Sequence, residues 1–223
     1  MLGPYLHPRG RRAVATALAR LGVTVLDGAD ALVTVVSQGH VELADGGRLE
    51  SDLTVWAAGF GVPDLAAGSG LATDALGRLL TDETLTSVDD PRIVAAGDAV
   101  APSGLPFRMS CQSAVQLGPQ AAETVLARLE GRRPAPVAVG FAGQCISLGR
   151  TTGVFQFAHR NDVALPLLLG GRAGAGLKEL ICRGTVWQLG FEARHPDVFD
   201  VWLKDRKRRE LLLAGPEAER AVL

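Results

Sequence analysis

RIVAAGDAV, Arg92–Val100, sets a short apolar run, Ile93 to Ala96, directly ahead of Gly-Asp and more small apolar residues. A short apolar run closed by a turn residue reads as a buried strand. In an open α/β sheet, ligands bind beyond the carboxyl ends of the strands. Gly97 would permit close backbone approach there, and Asp98 would accept a hydrogen bond from a ligand hydroxyl. The same dipeptide also makes an ordinary turn, so the surrounding pattern must decide between the two.

Upstream, Arg9 to Leu21 carries Ala13, Val14, Ala17, Leu18 and Leu21 at helical spacing, with Gly22 where a left-handed cap is expected. Val23 to Leu26 then reads as a short strand. Leu32 to Val36, His40 to Leu43 and Leu53 to Ala57, separated by Gln-Gly and Asp-Gly-Gly turns, read as an antiparallel meander closing onto a main sheet. VWAAGF, Val55 to Phe60, and the breaker-rich GVPDLAAGSG mark a domain boundary. Beyond it, Arg78 to Thr81 and Arg92 to Ala96 read as strands. Ser110 caps a helix running from Cys111 towards Leu129, which Pro119 kinks. Phe141 to Phe157 is hairpin-like, and Arg172 to Leu223 reads as helix and amphipathic tail.

Composition narrows the classes. The chain has 223 residues, 47% of them hydrophobic and 21% charged, enough for one or two globular domains. A net charge of -1 argues against nucleic acid as a partner. Cys111, Cys145 and Cys182, 34 and 37 residues apart, have no metal-ligand spacing and read as free, mostly buried thiols of a cytoplasmic protein. The N-terminus lacks the apolar region of a signal peptide. The longest apolar run, VALPLLLGG, is too short to span a bilayer, so the expectation is a cytoplasmic chain, or one peripheral on the inner face of the cell membrane.

DLTVWAAGFGVP (Asp52 to Pro63), RLLTDETLTSVDDPRIVAAGDAV (Arg78 to Val100) and SCQSAVQLG (Ser110 to Gly118) resemble, in order and spacing, successive motifs of flavoproteins with two dinucleotide-binding domains. These belong to the FAD-dependent pyridine nucleotide-disulfide oxidoreductase superfamily, and the likeness is to type II NADH dehydrogenases. FAGQCISLGRTTGVFQ and LKELICRGTVWQL resemble the actinobacterial branch. The resemblance implies an α/β fold that is a partial two-dinucleotide-binding-domain flavoprotein. Residues 1–58 would be the C-terminal part of an NAD(P)H-binding domain and 59–135 that of an FAD-binding domain. Residues 136–223 would form a C-terminal α+β region. It further implies an oxidoreductase passing electrons from NAD(P)H through FAD to a quinone-like acceptor, in a ping-pong cycle. The FAD contacts implied are Gly59, Gly97, Asp98 on the ribityl chain, and Ser110, Cys111 and Gln112 at a helix N-terminus facing the ring system. Such a helix end supplies unpaired N–H groups and a positive dipole end, so no catalytic acid or base is required of the chain.

Gln112 and Gln116, spaced i, i+4, resemble the AQxAxQ pattern lining the quinone pocket of that family, with Cys111 in place of its first alanine. An amide can hydrogen-bond a quinone carbonyl. The alternative is two glutamines on the wet face of a helix. Cys111 at a helix N-terminus would have a favoured thiolate, but with no second cysteine nearby in sequence it reads as a structural thiol. Phe199, Trp202 and Leu203, ahead of five basic and two acidic residues in Lys204 to Glu210, suit a membrane-surface helix. A helix end packed on the protein body suits them equally.

Two glycine-rich pyrophosphate turns are expected of such an enzyme. GSGLAT at Gly68 and GRAGAG at Gly171 do not match the fingerprint. The expectation is therefore the C-terminal portion of such an enzyme, partnered by a missing N-terminal half or self-associating. A reductase with a protein acceptor such as ferredoxin, and a non-catalytic remnant serving as an interaction module, are the alternatives.

Overall fold

The computed structural model describes residues 3, 5–57, 59–195, 203–205 and 207–214. Two compact units emerge. The first comprises Met1–Ala58, Gly143–Ala158 and Ala164–Arg194; the second comprises Gly59–Ala142, His159–Val163 and His195–Leu223.

In the first unit, α1 (Pro8–Arg20) starts where Pro8 presets the helical φ and the His7 imidazole accepts from the Arg9 N–H at 3.2 Å. It ends two residues ahead of Gly22, whose φ of +73° supplies the left-handed cap. β1 (Val33–Ser37), β2 (His40–Leu43) and β3 (Arg48–Glu50) form an antiparallel sheet in the order β1-β2-β3. The third strand of the meander is thus Arg48–Glu50, not Leu53 to Ala57. Neither that stretch nor Val23 to Leu26 is a strand. Leu53, Val55 and Trp56 are 81%, 78% and 61% exposed, and a β-branched run without a neighbouring strand has nothing to share a ladder with.

β6 (Gly143–Ser147), β7 (Gly153–Ala158) and β8 (Ala164–Gly170) build a second antiparallel sheet, order β6-β7-β8, and β8 runs directly into α4 (Gly171–Glu192). Pro166 hides β8 in the sequence. The strand tolerates it because β8 lies at the sheet edge. One face of this sheet packs on α1: Val154, Ile146 and Leu148 meet Leu6, Ala13, Val14 and Leu18. On that face the buried Gln156 amide donates to the carbonyls of Phe157, Leu165 and Leu167. α4 reaches the sheet backbone itself, since a Cβ on Gly174 would stand 2.5 Å from the Gly153 carbonyl and 2.6 Å from that of Leu169.

The second unit is organised around α3 (Cys111–Leu129), which continues through Pro119, and the parallel pair β4 (Leu79–Thr81) and β5 (Val100–Pro102). A four-residue helix, α2 (Leu65–Gly68), precedes β4, and α5 (Arg208–Ala214) closes the described chain. The core joins Leu85, Val100, Leu117, Val137, Val139 and Phe141, each worth about 1.5–3 kcal/mol when a side chain of this size leaves water. Between β4 and β5, the Asp82 carboxylate accepts from the N–H groups of Thr84 (2.8 Å) and Thr86 (3.1 Å) and from the Thr84 hydroxyl (2.7 Å). This Asx turn explains the TDET stretch. Arg92 to Ala96 is not a strand: Val94 makes an isolated bridge to Thr86, and the ladder begins only at Val100.

Candidate functional site

Gly97–Ala99 is a 3-10 turn leading into β5, not the far end of a strand. Gly97 has φ +77°, and a Cβ there would meet nothing within 4 Å. The turn therefore leaves a stretch of bare backbone beside Asp98.

Asp98 accepts from the Ser110 N–H at 3.0 Å, at the mouth of the 19-residue α3. Its second carboxylate oxygen has no protein partner among the described residues. Ser110 caps the helix as its sequence position requires, its hydroxyl accepting from the Ser113 N–H at 3.3 Å. The hydroxyls of Ser110 and Ser113 both donate to the Arg108 carbonyl, at 3.2 and 2.8 Å. The turn before α3 is pinned in its own right. The Arg108 guanidinium pairs bidentately with Asp162 and lies 5.0 Å from the centre of the Phe141 ring. Cys111, the first helical residue, is exposed.

Gln112 and Gln116 face the extended segment Gly140–Ala142. Gln112 Oε1 accepts from the Ala142 N–H at 2.7 Å. Gln116 is buried, and its amide brackets Gly140: Nε2 donates to the Gly140 carbonyl at 2.9 Å, and Oε1 accepts from the Gly140 N–H at 3.3 Å. Its other N–H donates back to the Gln112 carbonyl at 2.6 Å. The reverse amide orientation would set an oxygen against two carbonyl oxygens. The register has a simple origin: four helical residues rise about 6 Å and two extended residues about 6.6 Å, so i, i+4 on α3 matches i, i+2 on the segment. Both donors of Gln116 are therefore spent on backbone, and neither is left for a quinone carbonyl. The pair is not on a wet helix face either.

Gly59, with φ +79° and open space around it, lies in an irregular segment, and no hydrogen bond among the described residues joins it to this cluster. The strand-to-helix junction at Gly170-Gly171 carries the GRAGAG glycines, but Gly174 is spent on packing against sheet carbonyls. The expectation of mostly buried thiols is corrected: Cys111 and Cys182 are exposed and Cys145 is half-buried. α5 is part of the second unit, tied into it by Arg208. Arg208 is 8% exposed, paired with Glu83 at 2.8 and 3.0 Å, donating to the carbonyls of Pro102 and Leu105, and stacked 4.2 Å from the centre of the Phe107 ring. Phe199 and Trp202 lie outside the described residues. No helix among the described residues is long and apolar enough to cross a membrane.

Sequence reasoning missed Arg108, Asp162, Gly140 and the Arg208–Glu83 pair. Only Asp162, in an Asn-Asp turn with φ +68°, left a local signal.

The family described as Pyridine nucleotide-disulphide oxidoreductase matches residues 1–124. An NADH dehydrogenase-like protein of Mycobacterium tuberculosis is 35% identical over 100 residues, 45% of this chain and 24% of that protein. The type II NADH:quinone oxidoreductase of Haemophilus influenzae is 26% identical over 161 residues, 70% of this chain and 36% of that protein. The chain thus spans well under half the length of these relatives. Among solved structures, the sulfide:quinone oxidoreductase of Aquifex aeolicus aligns with a TM-score of 0.58 at 14% identity, covering 88% of this chain and 52% of that one. A NAD-dependent persulfide reductase from A. fulgidus aligns with a TM-score of 0.52 at 20% identity, covering 71% and 29%. At these identities the likeness shows a shared fold.

Proposed function

The chain belongs to the pyridine nucleotide-disulphide oxidoreductase family, and from that premise we propose that residues 97–142 are the flavin-facing part of an FAD-dependent NAD(P)H dehydrogenase with a quinone-like acceptor. The observation that carries this reading is the Asp98 carboxylate held on the Ser110 N–H at the N-terminus of α3, beside the bare backbone of Gly97.

These residues fit the cofactor chemically. One Asp98 oxygen is fixed by Ser110, which aims the other, at an exposed position, to accept from a ribityl hydroxyl. The space a Cβ would fill at Gly97 lets the chain pass close to a flat ligand. The N–H of Cys111, with no partner among the described residues, and the positive dipole end of α3 suit the electron-rich pyrimidine side of a flavin. FAD, when bound, supplies the two-electron chemistry. The chain's own work is to hold and orient it, and the helix end supplies the counter-charge without a titrating acid or base.

In this reading Gln112 and Gln116 shape the acceptor side indirectly, by fixing Gly140–Ala142 as a wall along α3. The name of the Haemophilus relative supports a quinone as the acceptor. Residues 1–58 are assigned to the NAD(P)H-binding part, and any membrane contact is peripheral.

The test is anaerobic spectroscopy of the chain loaded with FAD. NADH should bleach the visible flavin band, and a soluble quinone should restore it. A bound flavin that NADH leaves oxidised even when the N-terminal half of a relative is supplied would refute the dehydrogenase reading. Bleaching that no quinone reverses would refute the acceptor.

A further inference from the structure

We propose that Cys145 and Cys182 are a redox pair that closes a reversible disulfide between β6 and α4. The placement follows from strand alternation. Ile146, Leu148, Val154 and Gln156 point to the α1 face of the β6-β7-β8 sheet, so Cys145 and its cross-strand partner Phe155 point to the other. That other face is covered by α4, which touches the sheet backbone at Gly153 through Gly174 and Ala175. From this contact the stripe Gly174, Lys178, Cys182 runs along α4 at i, i+4 spacing. Cys145 is half-buried and Cys182 is exposed, and both are thiols.

Their proximity has an electrostatic mark. Burial pushes the Cys145 thiol up, the Lys178 ammonium partly offsets this, and a negative charge at Cys182 adds to the upward push. α4 packs against β6 as well as β7 and β8, and Lys178 and Cys182 lie on it one and two i, i+4 steps beyond the Gly174 contact. The division of labour follows from exposure and ionisation. Cys182 is the thiol that solvent reaches, and its thiolate attacks a low-molecular-weight disulfide, expelling one small thiol and leaving a mixed disulfide. Cys145, reluctant to ionise alone, then attacks the Cys182 sulfur and expels the second small thiol. Two cysteine thiols lose two electrons and two protons, and the small disulfide becomes two thiols. The bond would join the edge strand β6 to the helix that follows β8. This pair is independent of the flavin reading, and either can fail without the other.

The experiment uses the full chain with Cys111→Ser, which leaves only this pair, and oxidised glutathione as the probe. Intact mass should fall by about 2 Da with no glutathione retained, as expected when a dithiol closes, and dithiothreitol should reverse it. With Cys145→Ser added, the glutathione adduct on Cys182 should persist. Closure should be about tenfold or more faster in buffer than in urea, because only the fold holds the thiols at high effective concentration. Peptide mapping of the oxidised wild-type chain, which needs no substitution, should link the Cys145 and Cys182 peptides. A persistent mixed disulfide in the Cys111→Ser chain, disulfide-linked dimers as the main product, or closure no faster than in urea would overturn the proposal.

Discussion

Replacing Gln116 by leucine keeps the bulk of the side chain but removes its three hydrogen bonds, to the Gly140 N–H, the Gly140 carbonyl and the Gln112 carbonyl. Gly140 is buried, and the space on its other side is closed: a Cβ there would lie 2.7 Å from the Leu203 carbonyl oxygen. Its backbone groups thus have nowhere else to turn. Two buried peptide groups left unsatisfied at about 1–3 kcal/mol each give roughly 2–6 kcal/mol. The leucine's extra apolar burial returns part of this, about 1 kcal/mol. The expected loss is about 1–5 kcal/mol, a large share of the ~5–15 kcal/mol typical of a domain. Urea denaturation followed by circular dichroism measures it, together with flavin binding and quinone turnover of the folded fraction. A leucine variant as stable as wild type, within about 0.5 kcal/mol, that has lost only its response to quinone would refute the clamp. It would return Gln116 to direct contact with the acceptor.

Arg208→Met should destabilise the second unit by about 3–5 kcal/mol, because Glu83 loses its buried partner and the carbonyls of Pro102 and Leu105 lose their donor; a change under about 1 kcal/mol in urea melts would contradict the pairing. Asp74 gives a pH signature. Burial alone would raise its pKa, but hydrogen bonds from the Arg78 N–H and guanidinium and from the Leu76 N–H, with the Arg78 charge, hold it below 3.8. A carboxylate depressed in the fold contributes stability that is complete above its unfolded value and lost as pH falls through the folded one. Asp74→Asn should therefore be less stable than wild type at neutral pH, and the two should converge in acid. A gap independent of pH would exclude this linkage.

What the sequence revealed is what local chemistry decides. The caps of α1 and α3, the i, i+4 spacing of Gln112 and Gln116 and the first two strands of the meander follow from neighbours within a few residues. What stayed hidden depends on distant partners. Nothing near Arg108 points to Asp162, 54 residues on, and nothing near Arg208 points to Glu83, 125 residues back. Ile93 to Ala96 has the composition of a strand but meets only an isolated bridge, and Pro166 masks a real edge strand. The two glutamines were legible as a pair; that they read a backbone segment was not, because Gly140 and Ala142 lie beyond the end of the helix.

The most direct test of the central claim is a fluorescence titration of FAD with the 223-residue chain and its Asp98→Ala variant. The account predicts saturable binding to the wild-type chain and a Kd about tenfold higher for the variant, the ~1.4 kcal/mol worth of one charge-assisted hydrogen bond. Equal affinity for both chains would contradict the assignment of Asp98 and the α3 N-terminus to the flavin.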